Sequence, residues 1–271
     1  MTDKYAVIGN PIAHSKSPLI HRLFAEQTGQ HISYEAVLAP LDGFPATVER
    51  LRKDGYKGCN VTVPFKFEAY KLTSRLTAHA DMARAVNTLT FDGGTVLGDN
   101  TDGTGLIRDI QNNLHVSLHN RSVLLVGAGG AASGVIFPLL HVGARLAIVN
   151  RTAEKARELA AIASRFSDSV SGYGFDDIAD LQFDVVINAT AASLNDSFLP
   201  LPSGAMESAI LAYDMMYGRD TLFMKFARER GAATVTDGLG MLVEQAAESF
   251  FIWRGVRPDT LPVIADLRKP Q

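Results

Sequence analysis

The residues best suited to chemistry in this 271-residue sequence fall into two groups. The first is Gly127-Ala128-Gly129-Gly130-Ala131-Ala132, which fits G-x-G-x-x-G/A at Gly127, Gly129 and Ala132 and directly follows the apolar run Val123–Val126. In that pattern the first glycine permits a tight turn and the second lets the backbone approach a pyrophosphate. The small third residue allows close helix–strand packing, and the helix N-terminus offers free N–H groups to the phosphates. The strand–turn–helix context predicts dinucleotide binding, the plainer alternative being a tight turn with no ligand. The next apolar run, Leu146–Val149, ends in Asn150-Arg151-Thr152, with Lys155 one turn later. No acid stands at this tip, where a site for NAD usually carries one. A guanidinium at Arg151 suits a 2′-phosphate instead. Cations are disfavoured at a helix start, so a bound phosphate would explain Arg151 and Lys155 better than two solvated charges do. The expected cofactor is NADP.

The second group consists of three clusters rich in small polar residues: Ser15-Lys16-Ser17-Pro18, Asn60-Val61-Thr62-Val63-Pro64-Phe65-Lys66, and Asn87 with Gly98-Asp99-Asn100-Thr101-Asp102-Gly103. Each stands at a strand end or in a loop, where ligands bind in open α/β sheets. On residue chemistry alone, Lys66 also reads as a solvated lysine after a proline turn. Asp102 also reads as a helix N-cap, a role compatible with catalysis.

The elements that must position these groups alternate. Apolar runs at Ala6–Ile8, Tyr34–Leu38, Gly58–Val63 and Thr88–Phe91 are separated by helical stretches at 18–28 and 44–53. A turn and short strand over 93–101 lead into a helix through about Asn113. A second series follows, with strands at 123–126, 145–149, 184–188, 211–214 and 233–235, helices at 153–165 and 221–230, and a last helix from Leu239 to Gly255. Such alternation predicts βαβ units. The expected fold is α/β, an N-terminal mainly parallel substrate domain plus a Rossmann-type NADP domain with a cleft between them. Residues 1–101, completed by 239–271, form the first domain and 102–238 the second. A net charge of −3 argues against a nucleic-acid binder. The single cysteine, Cys59, excludes an intrachain disulfide and reads as a small buried apolar residue. Neither a signal peptide nor a membrane-spanning run is apparent, so the expected location is cytoplasmic. The seven histidines show no metal-site spacing, and no metal is expected.

Taken together the motifs resemble the shikimate dehydrogenase family. They are Gly9–Pro18, Asn60–Lys66, Ala85–Thr88, Gly98–Gly103, Gly127–Ala131, Asn150–Thr152, Tyr213–Tyr217 and Asp237–Ala246, in order along almost the whole chain. The resemblance implies reversible, NADPH-dependent reduction of 3-dehydroshikimate to shikimate, in aromatic amino-acid biosynthesis. It implies Lys66 and Asp102 as the catalytic pair. Reduction of a carbonyl needs a proton donor at oxygen as hydride reaches carbon, and the reverse needs a base there. Asp102 either holds the lysine charged and oriented or hydrogen-bonds a substrate hydroxyl. Ser15, Ser17 and Tyr217 suit a carboxylate, and Asn60, Thr62, Asn87 and Gln245 suit ring hydroxyls. The serines and asparagines also read as turn formers, and Gln245 as an ordinary helix-face residue. Gly127, Ala128, Gly129, Gly130, Ala131, Asn150, Arg151, Thr152 and Lys155 are the expected cofactor residues. Met215 and Gly238 match family positions near the nicotinamide, with Met215 equally plausible as core. Two departures stand out: Ala78 where some relatives carry an acid, and Ala191-Ala192 in place of a serine- or glycine-containing stretch. The rivals are an NAD(P)-dependent quinate/shikimate dehydrogenase, a non-catalytic NADPH-sensing protein, and a folate-linked dehydrogenase. The partner expected is a small molecule, with no nucleic acid and no membrane, in a monomer or homodimer.

Overall fold

Short apolar runs that alternate with helices produce two separate sheets in the computed structural model, which describes residues 2–190 and 200–269. The chain divides into two units, Met1–Gly105 with Leu242–Gln271, and Leu106–Met241. Along the first unit run β1 (Asp3–Gly9), α1 (Ser17–Thr28), β2 (Ile32–Leu38), α2 (Phe44–Lys53), β3 (Tyr56–Val61), α3 (Lys66–Leu72), β4 (Arg75–Leu76), α4 (Ala78–Ala83), β5 (Thr88–Asp92) and β6 (Thr95–Asp99). Helix α5 (Asp102–Arg108) carries the chain into the second unit and widens into a π-helical turn, Asp109–Asn113. There follow β7 (Ser122–Val126), α6 (Gly130–His141), β8 (Arg145–Val149), α7 (Ala153–Ala163), β9 (Val170–Tyr173), β10 (Val185–Asn188), α8 (Gly204–Glu207), β11 (Leu211–Asp214), α9 (Leu222–Glu229) and β12 (Val235–Thr236). Helices α10 (Leu239–Arg254) and α11 (Leu261–Leu267) return the chain to the first unit. The divisions at 105/106 and 241/242 fall inside helices, whereas the sequence reading put them at 101/102 and 238/239, the edges of those helices.

The first sheet has the order β2-β1-β3-β5-β6-β4, and β5 alone runs antiparallel to its neighbours. One face buries Ala6, Ile8, Cys59, Val61 and Leu89 against Phe44, Val48 and Leu51 of α2 and Ala69 of α3. Burial pushes the Cys59 thiol well up, so it packs as a small apolar group. Rings gather elsewhere in this unit: Tyr5 stacks on Trp253 at 4.6 Å between centroids, and His21 on Tyr34 at 4.0 Å.

The second sheet is parallel throughout, in the order β12-β11-β10-β7-β8-β9. Both of its faces are covered, which explains why its strands read as unbroken apolar runs. Val123 and Leu125 enter one core with Ala132, Val135 and Leu139 of α6, while Leu124 and Val126 enter the other with Ala205, Met206 and Phe223. Four helices (α3, α4, α8, α11) and two strands (β4, β9) lack a counterpart in the sequence reading. Each spans seven residues or fewer, too short for a periodicity to register, and they are set by packing and pairing. Strand β12 lies at 235–236 rather than 233–235, where it pairs with Ala212 and Tyr213. Among the described residues no helix is long and apolar enough to cross a membrane.

Candidate active site

Strands β1 and β3 run parallel and end side by side, and the loops that leave them are tied together. Asn10 N–H donates to the Val63 carbonyl at 3.0 Å, and Thr62 N–H to the Ile8 carbonyl at 2.9 Å. The segments leading to Ser15–Ser17 and to Lys66 therefore start from one sheet edge, the carboxyl end where ligands bind in such folds. Lys66 opens α3 and Asp102 opens α5. Their side chains meet, Lys66 Nζ donating to Asp102 Oδ2 at 2.5 Å, with 20% and 8% of the two side chains exposed. Asn87 Nδ2 donates to the other carboxylate oxygen, Oδ1, at 2.7 Å. The Asp102 N–H donates to Asn100 Oδ1 at 3.1 Å, which satisfies one of the free N–H groups at the helix start. The carboxylate is thus held from two sides, one donor on each oxygen, and sits at the helix end that favours negative charge.

Behind this pair lies a buried network. Asn87 Oδ1 accepts from the Thr101 N–H and the Thr88 hydroxyl, both at 2.9 Å. Asn60 Nδ2 donates to the Asn87 carbonyl, Thr88 Oγ1 and Ser249 Oγ, and Asn60 Oδ1 accepts from the Tyr34 hydroxyl at 2.7 Å. Ser249 Oγ also donates to the Gln245 carbonyl at 3.1 Å. Gln245 Oε1 stands 3.4 Å from Asn87 Nδ2. A Cβ at Gly105 would lie 2.7 Å from Gln245 Cβ, so the glycine lets α5 press directly on α10. With its N–H groups engaged by protein, Asn60 has an acceptor lone pair left to offer a ligand. Thr62 is half-buried, and among the described residues its hydroxyl makes no hydrogen bond. Ser15 Oγ accepts from Ser17 N–H at 3.3 Å, and Ser17 is buried at the start of α1. Thr88, Ser249 and Tyr34 are members of the network that the sequence reading passed over. The available signal was Gln245 and Ser249 four residues apart, two polar groups on one face of an apolar helix. Next to Tyr34, burial lowers His21 to about 3, the Asn60 side chain opposing this only in part. Burial also raises Tyr34 well above its ordinary value, so its hydroxyl remains a donor.

The second unit carries the glycine loop. Gly127, at φ +115°, packs against the Ala189 carbonyl and Thr190 Cγ2 at 3.2 and 3.0 Å from where a Cβ would be, and no L side chain suits that conformation. Nothing lies within 4 Å of a Cβ built on Gly129, which leaves open space above the loop. No side chain of the N-cap residue closes the start of α6 at Gly130, so its first N–H groups stay available to an anion. Ala128, Gly130 and Ala131 are half-buried along the same turn. At the tip of β8, Asn150 Nδ2 donates to the Thr152 carbonyl at 3.0 Å, and Arg151, Thr152 and Lys155 are exposed. No carboxylate is paired with Arg151 or Lys155 among the described residues. An open cradle, an uncapped helix start and two unpaired cations fit a 2′-phosphorylated dinucleotide. Met215, Tyr217 and Gly238 also lie in this unit. Met215 N–H donates to the Asn188 carbonyl at 2.9 Å and Gly238 N–H to the Met216 carbonyl at 2.8 Å. Burial raises the Tyr217 phenol, which stays protonated and able to donate. Ala78 is exposed at the start of α4, where Thr77 caps the helix by accepting from Ala80 N–H. Ala191 and Ala192 lie outside the described residues.

Three segments match known families: residues 7–89 the shikimate dehydrogenase substrate binding domain, 109–196 shikimate / quinate 5-dehydrogenase, and 238–268 the shikimate 5'-dehydrogenase C-terminal domain. The chain is 60% identical over 267 residues to the shikimate dehydrogenase (NADP(+)) of Methylobacillus flagellatus, covering 98% of this chain and 99% of that one. Among solved structures it resembles an Ael1 enzyme from Pseudomonas putida at 47% identity and a TM-score of 0.95, covering 99% of both chains. It also resembles the shikimate 5-dehydrogenase of Thermus thermophilus in complex with NADP(H) and shikimate, at 30% identity and a TM-score of 0.88, covering 98% of this chain and 99% of that one.

Proposed function

The chain belongs to the shikimate dehydrogenase family, and on that premise we propose that it reduces 3-dehydroshikimate reversibly to shikimate at the Lys66–Asp102 pair, with the first unit holding substrate and the second NADP. It is an NADP-dependent oxidoreductase of the shikimate pathway. The observation that carries the finer reading is the 2.5 Å contact between Lys66 Nζ and Asp102 Oδ2, with Asn87 holding the second carboxylate oxygen.

When bound, NADPH supplies the hydride that becomes the new C–H bond of the alcohol. Lys66 gives a proton from Nζ to the carbonyl oxygen in this direction and takes it back from the hydroxyl in the other. Asp102 holds the ammonium in place and keeps lone pairs for a substrate hydroxyl. Ser15, Ser17 and Tyr217 donate to the substrate carboxylate. Thr62, Asn87 and Gln245 meet the ring hydroxyls, and Asn60 meets one as an acceptor. Gly127 to Ala131 receive the pyrophosphate, and Asn150, Arg151, Thr152 and Lys155 the 2′-phosphate end. A site built from hydrogen bonds rejects analogues that lack a hydroxyl more strongly than those differing by a methylene.

The test follows reduced-nicotinamide absorbance with shikimate or quinate, each with NADP and with NAD. Fast turnover confined to shikimate with NADP is expected. Comparable quinate turnover or a preference for NAD would move the chain to the quinate-using branch. NADPH binding without any turnover would make it a sensor.

A further inference from the structure

We propose that Asp109 and Tyr213 form a positioning pair that fixes the Met215–Gly238 wall at the nicotinamide end of the cofactor site, an inference that rests on the NADP reading above. Asp109, in the π-helical turn after α5, is a buried carboxylate with 4% of its surface exposed. The hydroxyl of the fully buried Tyr213 donates to its Oδ2 at 2.6 Å, and Asn113 Nδ2 donates to Oδ1 at 2.9 Å. The same phenol oxygen accepts from Met241 N–H at 3.3 Å, in the first turn of α10. Burial and the neighbouring Asp109 carboxylate push the Tyr213 phenol well above its ordinary value, which keeps the proton on the donor.

Two glycines record how closely these parts meet. A Cβ at Gly240 would run into the Asp109 carboxylate, and a Cβ at Gly238 into the Met215 backbone. The residue after Tyr213 is as tightly held: Asp214 Oδ1 accepts from Asn188 Nδ2 at 3.1 Å and Met216 N–H at 3.0 Å, and Oδ2 from the Thr221 hydroxyl at 2.6 Å. Tyr213 therefore ties the end of β11, which Met215 follows, to the start of α10, which Gly238 precedes. An apolar pair of similar shape would fill this space without the cost of burying a carboxylate. What the charged hydrogen bond adds is a fixed direction and length. Asp109 and Tyr213 act through Met215 and Gly238 and touch no reacting atom, so they are positioning residues.

The test reads binding by the full chain rather than turnover. NADPH is titrated by its own fluorescence and compared with adenosine 2′,5′-bisphosphate, which carries the 2′-phosphate and lacks the nicotinamide. Tyr213→Phe is expected to weaken NADPH about tenfold, the scale of one lost hydrogen bond to a charged group, and to change the bisphosphate by less than about twofold. Asp109→Asn, which still offers the phenol an oxygen, is expected to keep NADPH affinity within about threefold. Gly240→Ala, which crowds Asp109 and leaves the phenol in place, is expected to reproduce the selective loss and stands in should Tyr213→Phe fail to fold. Equal weakening of both ligands, or NADPH affinity unchanged in Tyr213→Phe and Gly240→Ala, overturns the proposal. A wild-type chain that binds neither ligand overturns the cofactor reading, and the proposal with it.

Discussion

The two candidate sites are built in opposite ways. Around Asp102 a set of amides and hydroxyls is already engaged: Asn87, Thr88, Thr101, Asn60 and Ser249 hydrogen-bond one another before any ligand arrives. At the glycine loop the reverse holds. Gly129 faces open space, the start of α6 carries no side-chain cap, and Arg151 and Lys155 stand exposed. The first site is a preorganised side-chain constellation, which is what stabilising a particular transition state requires. The second is a backbone cradle with exposed cations, Arg151 and Lys155, at and just after the tip of the neighbouring strand β8. Damage at the first should therefore strike kcat, and damage at the second should strike cofactor binding.

The largest expected effect comes from removing the group proposed to move a proton. Lys66→Ala should lower kcat by about 10³-fold while shikimate binding persists, because the lysine acts mainly in the transition state. A variant with near-normal kcat would end the division of labour between the sites. Next comes Gly127→Val, which forces a β-branched residue to φ +115° beside the Ala189 carbonyl. Backbone strain of about 2 kcal/mol corresponds to NADPH affinity lowered roughly thirtyfold, with KM for shikimate little changed. Equal damage to both ligands would show that the loop supports more than the cofactor.

The contrast also explains which parts were legible in the sequence. The glycine loop was readable from physics alone, because a backbone site is written in conformational demands that Gly127 and a flanking apolar strand announce. Lys66 and Asp102 were not. They are 36 residues apart in sequence, and only the resemblance of their motifs linked them. Ser249, Thr88 and Tyr34 escaped because a small polar side chain facing a core looks like any other until its partners are known. The parallel strands of the second unit showed as continuous apolar runs. The two-residue β4 and the four-residue β9 exist through pairing and leave no periodic trace.

The side-chain site brings a liability in acid that the backbone site lacks. His21 is fully buried beside Tyr34, which itself holds Asn60. Burial lets the folded chain protonate His21 only near pH 3, whereas the unfolded chain does so near its ordinary 6.5. Between these values the unfolded state binds the extra proton, so stability falls as pH drops below 6.5. The loss attributable to this group reaches about 2 kcal/mol at pH 5. Urea unfolding at pH 7 and pH 5 measures it, and His21→Phe should flatten the pH dependence by that amount. Identical pH profiles in the two proteins would mean that His21 takes up its proton in the folded state.

The smallest effect expected concerns the cofactor's 2′-phosphate, and it separates recognition from mere charge. Arg151 is exposed and unpaired among the described residues, at the tip of β8 where an acid would hold a ribose hydroxyl. An exposed guanidinium reading a phosphate gains less than a buried one, because water screens the pair. Arg151→Ala should therefore raise KM for NADP about tenfold and leave KM for NAD within about twofold. Lys155→Ala should do the same more weakly, since an ammonium lacks the forked geometry that matches phosphate oxygens. If both substitutions weaken NAD and NADP equally, the two cations act as a general positive field and not as readers of the 2′-phosphate. In that case the preference for NADP would have to come from Asn150 and Thr152, and substituting those two would become the sharper experiment.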